Sequence, residues 1–201
     1  MRTIYWLGWL LFGSAFRTVF SLRIVGEEHL VTEGPVLVAS NHQSYLDPPL
    51  VGNLYNTEMV FLARKSLFRG FFKWLYRQWN AIPVDQDRPD MSSLKSIIRK
   101  LRNGNRVLVF PEGARSLDGS LDKAAPGIGL IAAKSGAVIQ PVRIRGAYEA
   151  LPRGSARLRF SRITVTVGPP IRLSKEDLKA ATGKDGYAAL ADRIMNAIAD
   201  L

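Results

Sequence analysis

The chain has 201 residues, enough for one domain with a sizeable core, or one domain with an appendage. It contains no cysteine, which excludes disulfides, thiolate zinc sites and a cysteine nucleophile while leaving the redox compartment open. A formal net charge of +11, mostly from arginine, predicts attraction to polyanions; with no zinc-finger spacing, RNP-type aromatic motif or long basic tail, anionic lipid or an acidic carrier protein fits better than nucleic acid.

Ile4 to Phe16 is apolar, carries Trp6 and Trp9, and is bounded by Arg2 and Arg17. As a helix it reaches about 20 Å, short of the ~30 Å hydrocarbon core of a bilayer. It therefore reads as an interfacial membrane anchor over residues 1–21, with a secretory signal peptide ending near Gly13-Ser14-Ala15 as the competing reading. One domain is expected over 22–201. Leu22 to Val25 is a short strand candidate, Gly26 to His29 a turn with His29 at the surface, and Glu33-Gly34-Pro35 a second turn.

The apolar run Val36 to Ala39 reads as a buried strand that delivers Ser40-Asn41-His42-Gln43-Ser44-Tyr45-Leu46-Asp47 to its carboxyl end. A histidine titrating near neutrality accepts a proton from a hydroxyl, and a carboxylate on its other ring nitrogen fixes the tautomer. Five residues let a strand-to-helix turn fold Asp47 back toward His42. Two other readings stand beside this one: Asn41 and Ser44 as turn residues, and Asp47 before Pro48 as a helix N-cap.

Pro48 to Tyr55 reads as a short helix and Met59 to Ala63 as the next buried strand. Lys65 to Trp79 reads as a helix with a basic stripe of Lys65, Arg69, Lys73 and Arg77 beside an aromatic and apolar face of Phe68, Phe71, Phe72, Leu75 and Trp79. That pattern suits a membrane-interface helix and a packed one equally. A strand follows in Asn80 to Asp85, and an amphipathic helix runs from Met91 to Arg102, closed by Asn103-Gly104.

Arg106 to Phe110 is again strand-like and leads into Pro111-Glu112-Gly113-Ala114-Arg115-Ser116. There Gly113 permits a tight backbone path and Arg115 offers a two-pronged clamp for a phosphate. The alternative is a surface turn with a Glu112 to Arg115 ion pair worth under about 1 kcal/mol. Ile128 to Lys134 reads as a helix, and Gly136 to Ile144 as a strand in which Pro141 needs a bulge or a strand end. Arg157 to Val167 alternates well enough for one or two further strands. Ser174-x-x-Asp177 opens a capped helix, and Leu190, Ile194 and Ile198 mark the buried face of a last one. Strands alternating with helices predict an α/β fold with a mostly parallel sheet flanked by helices, and ligands at the carboxyl ends of its strands.

Together the two motifs resemble those of the glycerolipid acyltransferase family, which carries N-H-x4-D and then F-P-E-G-T-R-S; the similarity runs over roughly residues 23–171. The resemblance implies transfer of a fatty acyl group from acyl-CoA or acyl carrier protein to the hydroxyl of 1-acylglycerol 3-phosphate, giving phosphatidic acid at the cytoplasmic face of the bacterial inner membrane. Glycerol 3-phosphate or another lysolipid is the alternative acceptor. A non-catalytic lipid-binding protein is the other reading, disfavoured because binding alone does not need the intact pair. In this family's terms His42 is the base, Asp47 its orienting partner, and Glu112, Gly113, Arg115 and Lys65 belong to acceptor-phosphate binding. Asn41, Ser44, Ser116 and Lys123 are supporting candidates. Glu112 either positions Arg115 or bonds an acceptor hydroxyl. This chain departs from the pattern at Ala114, where threonine is usual, and at Gln86, where an arginine usually follows the aspartate; Arg88 stands two residues later. With no G-x-S-x-G elbow and no cysteine, direct transfer in a ternary complex is expected, without metal or cofactor.

Overall fold

The structure is a computed structural model that describes residues 3–85 and 91–201. Its elements in chain order are α1 (Thr3–Val19), β1 (Arg23–Val25), β2 (Val36–Ser40), α2 (Asp47–Gly52), β3 (Met59–Arg64), α3 (Gly70–Gln78), β4 (Ala81–Val84) and α4 (Met91–Arg102). They continue with β5 (Arg106–Val109), α5 (Gly127–Ser135), β6 (Val138–Arg145), α6 (Ala147–Ala150), β7 (Thr164–Val167), α7 (Lys175–Ala180) and α8 (Gly183–Ala199).

The strands form one sheet in the order β1-β7-β6-β2-β5-β3-β4, parallel except where β7 runs against β6. Helices on both faces bury β2 completely, which is why its five residues are an unbroken apolar run ending in serine. Alternate side chains feed opposite layers. Leu37 and Ala39 join Leu101, Ile131, Ile194 and Ile198 on one face, while Val36 and Val38 join Phe16, Phe20, Leu50 and Tyr55 on the other.

Pro141 lies inside β6, opposite Ala39 of β2. Its carbonyl, and so its nitrogen, faces the other edge, where β7 has ended at Val167 and Gly168 N–H donates to Pro141 O (3.0 Å). The Gly168 carbonyl beside it accepts Gln140 Nε2 (2.6 Å) instead of a backbone N–H, and pairing on that side resumes only as an isolated bridge at Ile171. The alternation over Arg157 to Val167 yields only β7; residues 157–162 are irregular and leave Leu158 and Phe160 exposed. The helix expected from Lys65 to Trp79 is broken. Lys65–Leu67 is a single 3-10 turn, Arg69 is extended, and the α-helix begins only at Gly70. Ser174 caps α7 reciprocally with Asp177, as its spacing predicts. Gln86 and Arg88 lie outside the described residues.

The first helix is tied to the rest of the chain along one face. Met59 N–H donates to Tyr5 Oη (3.0 Å), Trp9 Nε1 donates to Tyr55 O (3.0 Å), and Phe16 is fully buried. Its opposite face leaves Leu7, Leu10 and Leu11 exposed. Among the described residues no helix is long and apolar enough to cross a membrane.

Candidate active site

Both motifs leave the carboxyl ends of adjacent strands. β2 pairs with β5 from Val36 opposite Arg106 to Ala39 opposite Val109, so the loops that follow emerge side by side. They are then fastened together: Ser116 N–H donates to His42 O (2.8 Å), and His42 N–H donates to Glu112 Oε1 (3.2 Å). Gly113 adopts φ 74°, a left-handed conformation that suits glycine, and its N–H closes the turn on Phe110 O (3.0 Å).

His42 Nδ1 lies 2.8 Å from Asp47 Oδ2. The same oxygen accepts the backbone N–H groups of Gln43 (2.6 Å) and Ser44 (2.7 Å), so one fully buried oxygen holds both the ring and the turn that bears it. Asp47 is not the N-cap of α2: the helix starts on it, Leu46 takes the cap position, and the carboxylate reaches back to earlier amides. Its second oxygen, Oδ1, is buried without a hydrogen-bond partner among the described residues. The imidazole stacks on Phe110, with centroids 3.8 Å apart and planes 9° from parallel. With Nδ1 engaged by the carboxylate, Nε2 is the basic nitrogen left for a substrate.

The remaining predicted residues fall into three groups. Asn41, Ser44 and Ser116 are scaffolding. Asn41 makes a two-pronged bond to the backbone of Ile144 (2.9 and 2.7 Å), which ties the loop to β6. Ser44 Oγ donates to Leu151 O (2.9 Å), and Ser116 Oγ accepts Gly119 N–H (3.0 Å). Arg115 is brought to the histidine and stacks over the Tyr45 ring at 3.6 Å, its Nη1 buried and without a hydrogen-bond partner among the described residues. Lys65 and Lys123 do not line the cavity that holds His42.

Glu112 turns toward the amide of His42 rather than toward Arg115. Burial pushes its carboxyl up to about 8; the His42 N–H opposes the rise, and the charges of Asp122 and Asp47 add to it. It is thus a mostly neutral carboxyl that braces the histidine backbone at neutral pH.

His42 opens on a cavity of about 640 Å³, within the usual range for a ligand site. One end is polar, with His42, Tyr45, Arg115 and Arg153. The other runs between α1 and β3 past Trp9, Phe12, Phe61 and Trp79. Arg153 and Tyr45 were not singled out in the sequence. Arg153 follows β6, the other neighbour of β2, and its Nη1 donates to Arg115 O (2.9 Å). The only sequence signal for it was its position beyond the carboxyl end of a strand.

A His42–Asp47 pair at the carboxyl edge of a mostly parallel sheet, opening on a cavity lined by both cationic and apolar side chains, is an arrangement of α/β enzymes. The chain belongs to the acyltransferase family, whose model matches residues 21–145. It is 30% identical over 178 residues to the chloroplastic 1-acyl-sn-glycerol-3-phosphate acyltransferase LPAT1 of Arabidopsis thaliana, covering 86% of this chain and 50% of that protein. With the 1-acyl-sn-glycerol-3-phosphate acyltransferase of Bacillus subtilis (strain 168) it shares 26% identity over 197 residues, 94% of each chain. The chain therefore spans about half the length of the chloroplast relative and nearly all of the bacterial one. The crystal structure of the 1-acyl-sn-glycerophosphate acyltransferase PlsC from Thermotoga maritima superposes with a TM-score of 0.77 at 25% identity, covering 98% of this chain and 77% of that one.

Proposed function

We propose that this chain moves a fatty acyl group from a thioester donor, acyl-CoA or acyl carrier protein, to the free hydroxyl of 1-acylglycerol 3-phosphate, giving phosphatidic acid. The observation that carries this reading is the His42–Asp47 pair opening on one cavity that is lined by both cationic and apolar side chains. The relatives' names support the same reaction. His42 Nε2 takes the proton as the acceptor oxygen attacks the thioester carbonyl carbon, while Asp47 stabilises the imidazolium. The tetrahedral intermediate collapses, the carbon–sulfur bond breaks, and the departing thiolate takes the proton back from His42. The products are an ester and a free thiol, with no net proton gained or lost. Arg115 grips the acceptor phosphate and Arg153 stands beside it; the acyl chain occupies the apolar end. Ser44, the serine between His42 and Asp47, is committed to Leu151 O, which supports direct transfer rather than an acyl-enzyme.

The reaction takes place at the cytoplasmic face of the membrane, with the protein held on one leaflet. Supporting this are two exposed apolar faces, Leu7, Leu10 and Leu11 on α1 and Phe71, Phe72 and Trp74 on α3. Residues 1–21 then act as an anchor, and α1 within them also packs on the domain.

The experiment is an acyl-transfer assay of the wild type and His42→Ala in detergent, with 1-acylglycerol 3-phosphate, glycerol 3-phosphate and a lysolipid lacking a free phosphate as acceptors. Transfer to the first, lost by at least ~10²-fold in the variant, is expected. Preference for another acceptor would replace the substrate, and near-normal turnover by His42→Ala would overturn the chemistry.

A further inference from the structure

A second groove, of about 570 Å³, lies at the carboxyl ends of β3 and β4. Arg64, Lys65, Arg69, Lys73 and Arg77 line it, with Asp85 as the one acid among its described lining residues. It shares Arg64 and Ser66 with the cavity that holds His42, so the two adjoin. Lys73 and Arg77 stand four apart on α3, with Arg69 four residues earlier at its N-cap, and like charges four apart cost helix stability. Such a concentration of cations in a concave site is suited to an anion rather than to folding.

Position decides which anion. Val36, Arg106 and Met59 share a level across β2, β5 and β3, so the turn that bears Lys65 leaves the sheet two strands from the loop that bears His42, roughly 10 Å at the usual strand spacing. A 1-acylglycerol 3-phosphate carries its phosphate on the carbon next to the one bearing the attacking hydroxyl. With that hydroxyl at His42 its phosphate belongs by Arg115 and does not span two strands. A pantetheine thioester has the opposite shape: its phosphate sits at the far end of a long arm from the sulfur. Bilayer headgroups fit less well. The basic residues line the groove together with Pro83 and Val84 of β4, while the exposed Phe71, Phe72 and Trp74 of the same helix are not among its lining residues.

We propose that this groove binds the phosphate of the donor's pantetheine arm, with the thioester then reaching His42 past Arg64 and Ser66. The inference rests on the acyl-transfer reading above. It also reassigns Lys65 from the acceptor to the donor.

The test is the double variant Arg69→Gln/Lys73→Gln, checked for unchanged thermal unfolding. Donor KM is measured in neutral detergent micelles with acyl-CoA, acyl carrier protein and acyl-pantetheine, which lacks the phosphate. Binding of phosphopantetheine and of pantetheine is measured by calorimetry. Donor KM should rise tenfold or more for the phosphorylated donors, as charge-assisted contacts are lost, with no change for acyl-pantetheine or for the acceptor. Phosphopantetheine binding should weaken in parallel. A rise for acyl-CoA alone, or for acyl carrier protein alone with weakened phosphopantetheine binding, supports the groove and identifies the source of the phosphate. Four results overturn it: an equal rise for acyl-pantetheine, a rise in acceptor KM, a carrier-protein effect with unchanged phosphopantetheine binding, or a loss confined to anionic liposome binding. If the wild type transfers no acyl group, the proposed function fails. The calorimetry still decides the groove, since a wild type that does not distinguish phosphopantetheine from pantetheine has no phosphate site there.

Discussion

Asp47 carries a structural and a chemical duty on the same oxygen, and two substitutions separate them. Oδ2 accepts Gln43 N–H, Ser44 N–H and the His42 ring in a fully buried setting. Asp47→Ala leaves two backbone amides without an acceptor, each costing about 1–3 kcal/mol, so the fold should lose about 2–6 kcal/mol. For a chain of this size that is a fall in Tm of roughly 5–20 °C. Asp47→Asn retains an oxygen for both amides and gives up only the charge, so its Tm should stay within a few degrees of wild type. Its turnover should nonetheless fall roughly 10²- to 10⁴-fold, because the imidazolium formed during transfer loses its carboxylate. Calorimetric unfolding together with steady-state turnover on 1-acylglycerol 3-phosphate measures both. Equal stability of the two variants would refute the structural half of the argument, and near-normal turnover by Asp47→Asn the chemical half.

Other residues give independent tests. Arg115→Lys keeps the charge but loses both the fork and the flat stack on Tyr45, so acceptor KM should rise about tenfold with donor KM unchanged; equal changes in both would move the phosphate site elsewhere. Glu112 has a folded pKa of about 8 against an ordinary 4.5, so the folded state holds its proton more tightly than the unfolded chain. Its contribution to stability is therefore fully present below about pH 4.5 and is lost as pH rises toward 8. Glu112→Gln should flatten the fall in Tm across that window, and a variant with the wild-type profile would contradict the burial argument. For the membrane surface, deleting residues 1–20 is a poor test, because Phe16 and Phe20 belong to the core at ~1.5–3 kcal/mol each. Leu7, Leu10 and Leu11 changed together to Gln, and Phe71, Phe72 and Trp74 changed together to Ser, should each reduce sedimentation with anionic liposomes in high salt, and full retention by both variants would exclude these faces as the contact.

What the sequence determined by itself is local. Residue order alone marked most of the strands, the capped start of α7, and the five-residue turn that folds Asp47 onto His42, because each follows from periodicity or from bonds between near neighbours in the chain. The two motifs were legible, as was their place at strand ends. Only the tertiary structure decided what faces what. The sheet order puts β5 and β6 on either side of β2, and that adjacency brings Glu112 to the His42 amide, Asn41 to Ile144 and Arg153 to Arg115. No spacing in the chain encodes those neighbours, since strand order is set by long-range packing. The same holds for Lys65 to Trp79, whose composition suited one amphipathic helix. The helix begins only at Gly70, and its cations line a groove with β4 while Phe71, Phe72 and Trp74 are exposed outside that groove, because the face a helix buries is chosen by the surface it meets.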